Sequence, residues 1–414
     1  MTAQLTPPPI PTPVPGYSLP PVPAQGTRVI LLRHGRSTLN DAGRYQGSSD
    51  QSQLTAQGRR NARQVGHYLR HCPIDHLYTS PLQRAQQTVT ELLPQLLRLR
   101  SPQTTHGRSQ TITTLPELRE IDLPAWEGLP YEEVKTRFPE AYQQWQTIPE
   151  TFVMAQPNSG IESSGDGDSD SRSNSADLIY PVQEVYQRSR QFWTTKLPHH
   201  PGQTLLVVSH GSTIQALVNT ALGLPMRHHH HLQQTHAGLT VIDVAAPTLG
   251  TGHLHLLNLT TPTGEQLPKL KAGKQGLRLL LLPCQSDILP DAALANLAKE
   301  HPIAACIVED HPDCYPGQRS LLTHHPDTMI LAVQQTDFLH QWQRSLRQSL
   351  VQMSPTELMT IAAVCHHAHA ESFLQAVIGR PLPLLPNALT VLHYPGVGQH
   401  PILQTLNSRP IPGA

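Results

Sequence analysis

The sequence has no excess charge of either sign, because Lys plus Arg and Asp plus Glu each number 30 in 414 residues. Without a basic surplus no global field would hold nucleic acid or an anionic membrane surface, so we expect neither as a partner. There are only five cysteines, none in a C-x-x-C pair, which argues against a disulfide framework and a zinc site. Apolar runs such as Leu279–Leu282 are far shorter than the ~20 residues of a membrane span. The N-terminus lacks an export signal, so we expect a cytoplasmic protein.

Proline, in contrast, is abundant, with 40 residues, about twice the average usage. Between Pro7 and Pro23 it recurs every one to five residues, a spacing that favours polyproline II over packed elements. We therefore predict a disordered tail over residues 1–26. The chain is also longer than one ordinary core requires, which predicts two domains.

Strand and helix patterns alternate after the tail. Val29–Leu32 and Leu205–Val208 are short apolar runs typical of strands buried on both faces. Thr55 reads as the cap of one helix, and Ser80-Pro81 opens another. Residues 155–176 are rich in Gly, Ser, Asp and Asn without periodicity and predict a flexible insertion. The sequence predicts a three-layer α/β/α sandwich over residues 27–265.

The remaining chain repeats this pattern in shortened form after a linker at residues 266–276. The matching pairs, in the same order in both halves, are Thr27–Leu32 with Leu277–Leu282, Val65–Tyr78 with Leu294–Ile307, Val208–His210 with Val364–His366, and Leu239–Val241 with Leu389–Val391. The shared order predicts that residues 277–414 are a degenerate copy of the first fold. The alternative is an unrelated α/β domain of similar periodicity.

Candidate site residues lie directly after the apolar strands. Arg33 and His34 follow the first strand and His210 follows another, and α/β proteins bind ligands beyond the carboxyl ends of such strands. Arg84 lies in the first turn of a helix, where backbone N–H groups already favour an anion. Two arginines and two histidines suit a phosphoryl group in transfer. Ser80 and Thr88 read only as a cap and a helix surface.

Breaking a phosphate ester also requires a proton for the leaving oxygen, and a carboxylic acid can supply it. Glu120, Asp122 and Glu127 are the nearby candidates.

Together these segments resemble the histidine phosphatase superfamily, which has the phosphoglycerate-mutase-like fold. The matching stretches run in family order and include LLRHGRSTLN at 31–40, SPLQRAQQT at 80–88, ELREIDLPAWEG at 117–128 and VVSHG at 207–211. The resemblance implies that His34 is the nucleophile, which becomes phosphohistidine, and that Glu120 is the proton donor. It further implies that the phosphoryl group is bound by Arg33, Asn40, Arg84 and His210.

The expected function is metal-independent and cofactor-free hydrolysis of a small phosphorylated metabolite. One alternative is a phosphoglycerate mutase that uses the same residues and excludes water, with Arg36, Arg44 and Arg119 holding a second anion. Another is a non-catalytic regulator that senses a phosphorylated ligand.

The second half lacks most of these groups. Pro283-Cys284-Gln285 stands where Arg33-His34-Gly35 stands in the first half, and proline cannot bind phosphate. Glu309 and Asp310 supply carboxylates where the first half has a helix cap and Arg84. We therefore predict no catalysis and no phosphate binding in this half, with Cys284 and His366 at the equivalent strand ends. It could instead brace the first domain or mediate homo-oligomer formation.

Overall fold

The structure, a computed structural model, describes residues 14–17, 19–97, 112–156, 178–245, 249–284, 301–335, 338–352, 356–386 and 388–409. The strands are β1 (Gly26–Arg33), β2 (His76–Thr79), β3 (Ile112–Thr114), β4 (Met154–Ala155), β5 (Leu178–Ile179), β6 (Thr204–Ser209), β7 (Leu239–Ala245), β8 (His253–Leu259), β9 (Gly276–Cys284), β10 (Ala305–Glu309), β11 (Met329–Val333), β12 (Leu358–His366), β13 (Leu389–Tyr394) and β14 (Ile402–Ser408). The α-helices are α1 (Thr38–Asp41), α2 (Ala56–Tyr68), α3 (Gln83–Leu97), α4 (Tyr131–Arg137), α5 (Pro139–Thr147), α6 (Pro181–Lys196), α7 (Gly211–Leu222), α8 (Tyr315–His324), α9 (Phe338–Gln352) and α10 (His367–Ile378).

Strand β1 has apolar side chains on both faces, and each face packs against helices. Val29 and Leu31 join a cluster with side chains of α6 and α7, whereas Ile30 and Leu32 join one with α2 and α3. Successive side chains of a strand point to opposite faces, so the continuous apolar run places helices on both sides of the sheet. The predicted three-layer α/β/α sandwich is confirmed.

A twelve-stranded sheet runs through both halves of the chain. From the outer edge inward its order is β3-β2-β6-β1-β7-β8 in the first half and β11-β10-β12-β9-β13-β14 in the second. In each half the first strand, β1 or β9, pairs in parallel with β6 or β12 and antiparallel with β7 or β13. Two antiparallel pairings make β1 point in the same direction as β8, and two more make β9 point in the same direction as β14. Because β8 and β14 pair antiparallel, β1 and β9 point in opposite directions, and their carboxyl ends lie at opposite edges of the sheet.

The junction between β8 and β14 repeats one local structure on both sides. Asn258 and Asn407 have positive φ angles of 51° and 60°. The backbone N–H of Asn258 donates to Thr240 Oγ1, and that of Asn407 donates to Thr390 Oγ1. The Asn258 amide donates to a carbonyl of β14 at 2.6 Å and the Asn407 amide to a carbonyl of β8 at 2.9 Å. The two halves therefore share a bulge as well as a strand order.

The proline-rich segment packs on the first half, so the prediction of a disordered tail through residue 26 is wrong for residues 14–17 and 19–26. Val14, Tyr17 and Leu19 are buried in the cluster formed with α2 and α3. The backbone N–H of Arg409 donates to Tyr17 Oη at 2.8 Å. Within the docked segment Tyr17 N–H donates to the Val14 carbonyl at 2.8 Å across a turn, and prolines have no N–H to satisfy, so burial of the apolar side chains leaves few donors unpaired. Residues 1–13 and 18 lie outside the described residues.

The predicted insertion begins in regular structure, because Ala155 belongs to β4, which pairs with β5. Residues 157–177 lie outside the described residues, as do residues 285–300 after β9. Among the helices that are described, none is long and apolar enough to cross a bilayer.

Candidate active site

The site lies at the carboxyl ends of β1 and β6. Arg33 is the register partner of Ser209 in this parallel pair, so His34 and His210 follow neighbouring strand ends. Their ring centroids lie 5.0 Å apart, and both side chains are buried. The structure thus brings together the two histidines that the sequence placed after separate strands.

A backbone hydrogen bond sets the tautomer of His34. Its Nδ1 lies 2.7 Å from the carbonyl oxygen of Gly35, which can only accept, so Nδ1 carries the proton. The lone pair of the neutral ring is therefore on Nε2. Burial, reinforced by the charges of Arg84 and Arg33, holds the pKa of His34 well below its usual value. The ring is neutral at pH 7 and presents a nucleophilic nitrogen.

The loop that carries His34 is held by close backbone contacts. A Cβ atom added at Gly35 would lie 2.6 Å from the carbonyl oxygen of Gly58, so no larger residue fits. The Gly35 N–H donates to Thr88 Oγ1 at 3.0 Å, and that hydroxyl donates to the Arg84 carbonyl at 2.7 Å. Thr88 is fully buried. Its interpretation as a helix-surface residue is wrong, because it links the loop of His34 to the helix that carries Arg84.

Arg84 and Arg33 are held by carbonyl groups and not by carboxylates. Arg84 donates to the carbonyls of Ser49 and Gly47 at 2.7 and 2.8 Å, and Arg33 donates to that of Gln234 at 2.8 Å. Within the described residues, neither guanidinium has a carboxylate at ion-pair distance, and the Nε of each is buried without a hydrogen bond. Burial lowers the pKa of Arg84 to about 10, so it stays charged at neutral pH. Glu120 attracts both guanidiniums from beyond ion-pair distance, so the two cations beside His34 keep hydrogen-bonding capacity for an anion.

His210 is oriented by Ser80, which the sequence suggested was only a cap. The Nε2 of His210 and Oγ of Ser80 lie 2.7 Å apart. The Nδ1 atom of His210 is buried and makes no hydrogen bond to any described residue. Burial, together with Arg84 and His34, lowers the pKa of His210 well below its usual value. The free nitrogen of His210 is thus a polar group in need of a partner.

Glu120 lies at the N-terminus of α7, the helix that begins directly after His210. Its carboxylate accepts from the N–H groups of Ile121 at 2.9 Å and Thr213 at 3.3 Å. Arg188 donates to the Glu120 carbonyl at 3.1 Å and holds this loop in place. The structure therefore brings Glu120 to the edge of the sheet where both histidines lie, and Arg188 is a positioning residue that the sequence did not identify.

The other two carboxylates are engaged elsewhere. Asp122 forms an ion pair with Arg119 at 2.8 Å. Glu127 accepts from the Ser49 N–H at 3.0 Å and so supports the loop whose carbonyls hold Arg84. Burial raises the pKa of Glu127. Neither contact places these groups at the N-terminus of α7, where Glu120 lies next to the strand end that carries His210.

Asn40 takes part in the capping box of the short helix α1, whose N-cap residue is Ser37. Its Oδ1 accepts from Ser37 Oγ at 2.8 Å, and its own N–H contacts the same hydroxyl, which completes a capping box at the start of α1. These contacts use the amide oxygen. The amide NH₂ is what Asn40 can offer to a ligand.

One further group of the site was missed in the sequence. The His236 ring centroid lies 5.6 Å from that of His34, and its Nε2 is buried without a partner in the described chain. His236 does not belong to a strand-end motif, so no local signal marked it.

Acidification should destabilise the fold through its buried neutral histidines. Burial lowers the pKa of His34, His210, His229 and His236 below the unfolded value of about 6.5. As the pH falls below 6.5, the unfolded chain therefore takes up protons that the folded chain does not. The free energy of unfolding therefore has its full value above pH 6.5. Below that pH it falls by about 1 kcal/mol per pH unit for each such histidine.

Thermal unfolding between pH 7.5 and 5.5 measures this effect. The variant His229→Gln, remote from the proposed chemistry, should show a smaller loss of Tm because one titrating group is removed. A constant Tm over this range would contradict the prediction.

The geometry defines a class of protein: an α/β sandwich with two buried, neutral histidines and two arginines that can hold an anion at one edge of its sheet. The chain belongs to the histidine phosphatase superfamily (branch 1), whose family model matches residues 29–258. The resemblance seen in the sequence is confirmed.

Two plant proteins are among the relatives. The chain is 32% identical to the probable 2-carboxy-D-arabinitol-1-phosphatase of Arabidopsis thaliana, over 66% of this chain and 50% of that protein. It is 33% identical to the 2-carboxy-D-arabinitol-1-phosphatase of Triticum aestivum, over 65% and 48%. It is also 28% identical to phosphoserine phosphatase 1 of Hydrogenobacter thermophilus, over 48% and 78%. The chain thus spans about half the length of the plant relatives it matches.

Proposed function

We propose that this protein is a cytoplasmic, metal-independent phosphomonoesterase that acts on a small phosphorylated metabolite through phosphohistidine at His34. The observation that carries the proposal is the hydrogen bond of His34 Nδ1 to the Gly35 carbonyl, which leaves the lone pair on Nε2, with two arginines nearby that have no direct ion pair in the described chain. The names of the relatives support a small phosphorylated substrate.

In this scheme His34 Nε2 attacks the phosphorus atom and the bond from phosphorus to the ester oxygen breaks. Glu120 gives its proton to the leaving alcohol. Water then attacks the phosphohistidine, Glu120 takes a proton from that water, and inorganic phosphate leaves with His34 restored. The groups that bind the phosphoryl oxygens are Arg33, Asn40, Arg84 and His210.

The mutase alternative is disfavoured by the partners of its second anion site. Arg36 forms an ion pair with Asp41 at 2.7 Å, and Arg119 forms one with Asp122 at 2.8 Å. Arg44 donates to the carbonyl of Gly128 and is exposed. Charges already compensated by carboxylates, or exposed to water, are poor holders of a second anion.

Phosphate release in the presence of EDTA separates the three functions. Phosphoserine, phosphoglycerates and sugar phosphates are the substrates to screen. A phosphatase releases phosphate from at least one of them, whereas a mutase interconverts phosphoglycerates without release. Binding without either reaction would support the regulator, and activity that EDTA removes would contradict a metal-independent enzyme.

We further propose that residues 277–414 are a non-catalytic, degenerate copy of the first domain. The repeated strand order and the paired asparagines of β8 and β14 support a duplication. Cys284 and His366 end β9 and β12 as register partners, as His34 and His210 follow β1 and β6. Glu309, fully buried, accepts from the His366 N–H at 2.8 Å and lies 2.9 Å from His369 Nδ1. A buried carboxylate at this place would repel a phosphate.

A further inference from the structure

A cavity lies between the two halves of the chain. Its volume is about 570 Å³, and small-molecule sites typically occupy roughly 300–1,000 Å³. The first half lines it with the loop that follows α7 and with residues 251–254 at the start of β8, and the second half lines it with the loop that follows α10. Boundaries between domains are common places for small-molecule sites.

Equivalent helix ends of the two halves form its walls. α7 and α10 each end at a glycine in the left-handed conformation, with φ angles of 72° at Gly223 and 82° at Gly379. A Cβ atom added at Gly223 would lie 3.2 Å from Arg380 Nη1, and one added at Gly379 would lie 3.9 Å from His228 Cε1. Each glycine therefore faces a basic side chain of the other half, so both halves are needed to form the cavity.

The cavity is separate from the active site. α7 begins at Gly211, directly after His210, and has 12 residues, which span about 18 Å at the usual helical rise. The cavity adjoins the other end of this helix, at Gly223. Among the described residues that line it, none is one of those proposed to bind or attack the phosphoryl group. A ligand in the cavity therefore does not compete for the active site.

The charged side chains that line the cavity are cationic. Arg227 comes from the first half and Arg380 from the second, and the described lining residues include no Asp or Glu. Neither arginine forms an ion pair or a side-chain hydrogen bond with another described residue. Both guanidinium groups therefore keep their N–H donors for a ligand.

The rest of the lining suits an uncharged body attached to an anion. Burial and the charge of Arg227 lower the pKa of His228, so this imidazole is neutral at pH 7 and adds no positive charge. Its Nδ1 atom is buried without a hydrogen bond to any described residue and is a polar group in need of a partner. Leu224, Leu254 and Pro381 supply apolar surface.

We propose that this cavity is a second ligand site, which binds a small organic phosphate between the two halves. Guanidinium groups bind phosphate oxygens through paired hydrogen bonds, and here each half contributes one guanidinium. The inference goes beyond the proposed phosphatase function and does not depend on it, because it concerns other residues. The strand ends of the second half keep no phosphate site of their own in this proposal, and what this half contributes is Arg380.

Titration calorimetry of the full chain with glucose 6-phosphate tests the proposal. His34→Ala is the background, because it keeps Arg33 and Arg84 and should not hydrolyse the ligand. We expect one binding event at the active site, which Arg84→Met should remove, and a second in the cavity. Arg380→Met and Arg227→Met should each weaken the second event by about 10- to 100-fold, the effect of losing one charged hydrogen bond. Glucose, which lacks the phosphate, should show neither event.

Arg347→Met is the matched control, because it removes an exposed arginine of the second half that does not line the cavity. Both events should persist in this variant, and thermal unfolding without ligand establishes that each variant is folded. With His34 intact, Arg380→Met should hydrolyse p-nitrophenyl phosphate with the kcat/KM of the wild type.

Three results would overturn the proposal: a single event that Arg84→Met removes, a second event that neither cavity variant weakens, or an equal weakening by Arg347→Met. Failure of the phosphatase function has a different signature. The wild-type protein would then release no phosphate from any ester, while the event that depends on Arg380 would remain.

Discussion

Replacing His34 with alanine is expected to abolish phosphate release from every phosphomonoester, by about 10⁴-fold or more in kcat. The reason is that the neutral Nε2 of His34 is the atom that would become bonded to phosphorus. The other buried imidazole beside it, His210, has its Nε2 hydrogen-bonded to Ser80 and is proposed to bind the phosphoryl group through its free Nδ1, so we do not expect it to take over the attack. Steady-state release of p-nitrophenol measures the loss.

The control is His210→Ala, which removes a phosphoryl-binding group and should leave measurable activity. In the wild-type protein, rapid quenching should trap a phosphoprotein that is labile in acid and stable in base, and His34→Ala should not form it. Thermal unfolding with and without inorganic phosphate establishes that each variant is folded. Full turnover by His34→Ala would end the covalent scheme.

Glu120→Gln is expected to lose about 100-fold or more in kcat/KM on alkyl phosphates, whose leaving oxygen needs a proton. The loss on p-nitrophenyl phosphate should be much smaller, because p-nitrophenolate leaves without one. The carboxylate at the N-terminus of α7 is isosteric with the amide, so the backbone contacts of residue 120 are largely retained. The measured quantity is the ratio of the two losses.

Asp122→Asn and Glu127→Gln are the matched controls for the acid. Asp122→Asn breaks an ion pair with Arg119, and Glu127→Gln weakens the support of the loop that holds Arg84, so each should affect both substrates alike. Equal losses on both substrates in Glu120→Gln would move the acid to Asp122 or Glu127.

The grouping of Arg33, His34, Arg84 and His210 was largely predictable, because each of these residues follows a locally coded strand or helix signal. The apolar run of β1 predicts a strand buried on both faces, and Arg33 and His34 come directly after it. The run of β6 places His210 in the same way, and the Ser80-Pro81 signal places Arg84 near the start of α3. Parallel neighbouring strands end at one edge of a sheet, so correct local elements brought these groups together.

Docking of the proline-rich segment was not predictable, because a run of prolines gives the same local signal whether it packs or not. What decides is the apolar surface it meets: Tyr17 reaches the backbone of Arg409, nearly four hundred residues away in sequence. The burial of Thr88 was not predictable either, because it depends on the loop at Gly35, whose N–H donates to the Thr88 hydroxyl, and not on its own helix.

The sequence by itself determined the two α/β halves and the groups for chemistry on a phosphate, since strand periodicity, helix caps and strand-end motifs are properties of short stretches of chain. Only the tertiary structure decided that β8 and β14 join both halves in one sheet, and that His236 lies beside His34. These contacts form between segments that are distant in sequence and that meet through packing and backbone hydrogen bonds. The hydrophobic periodicity of one segment predicts its own secondary structure but not the segment with which it pairs.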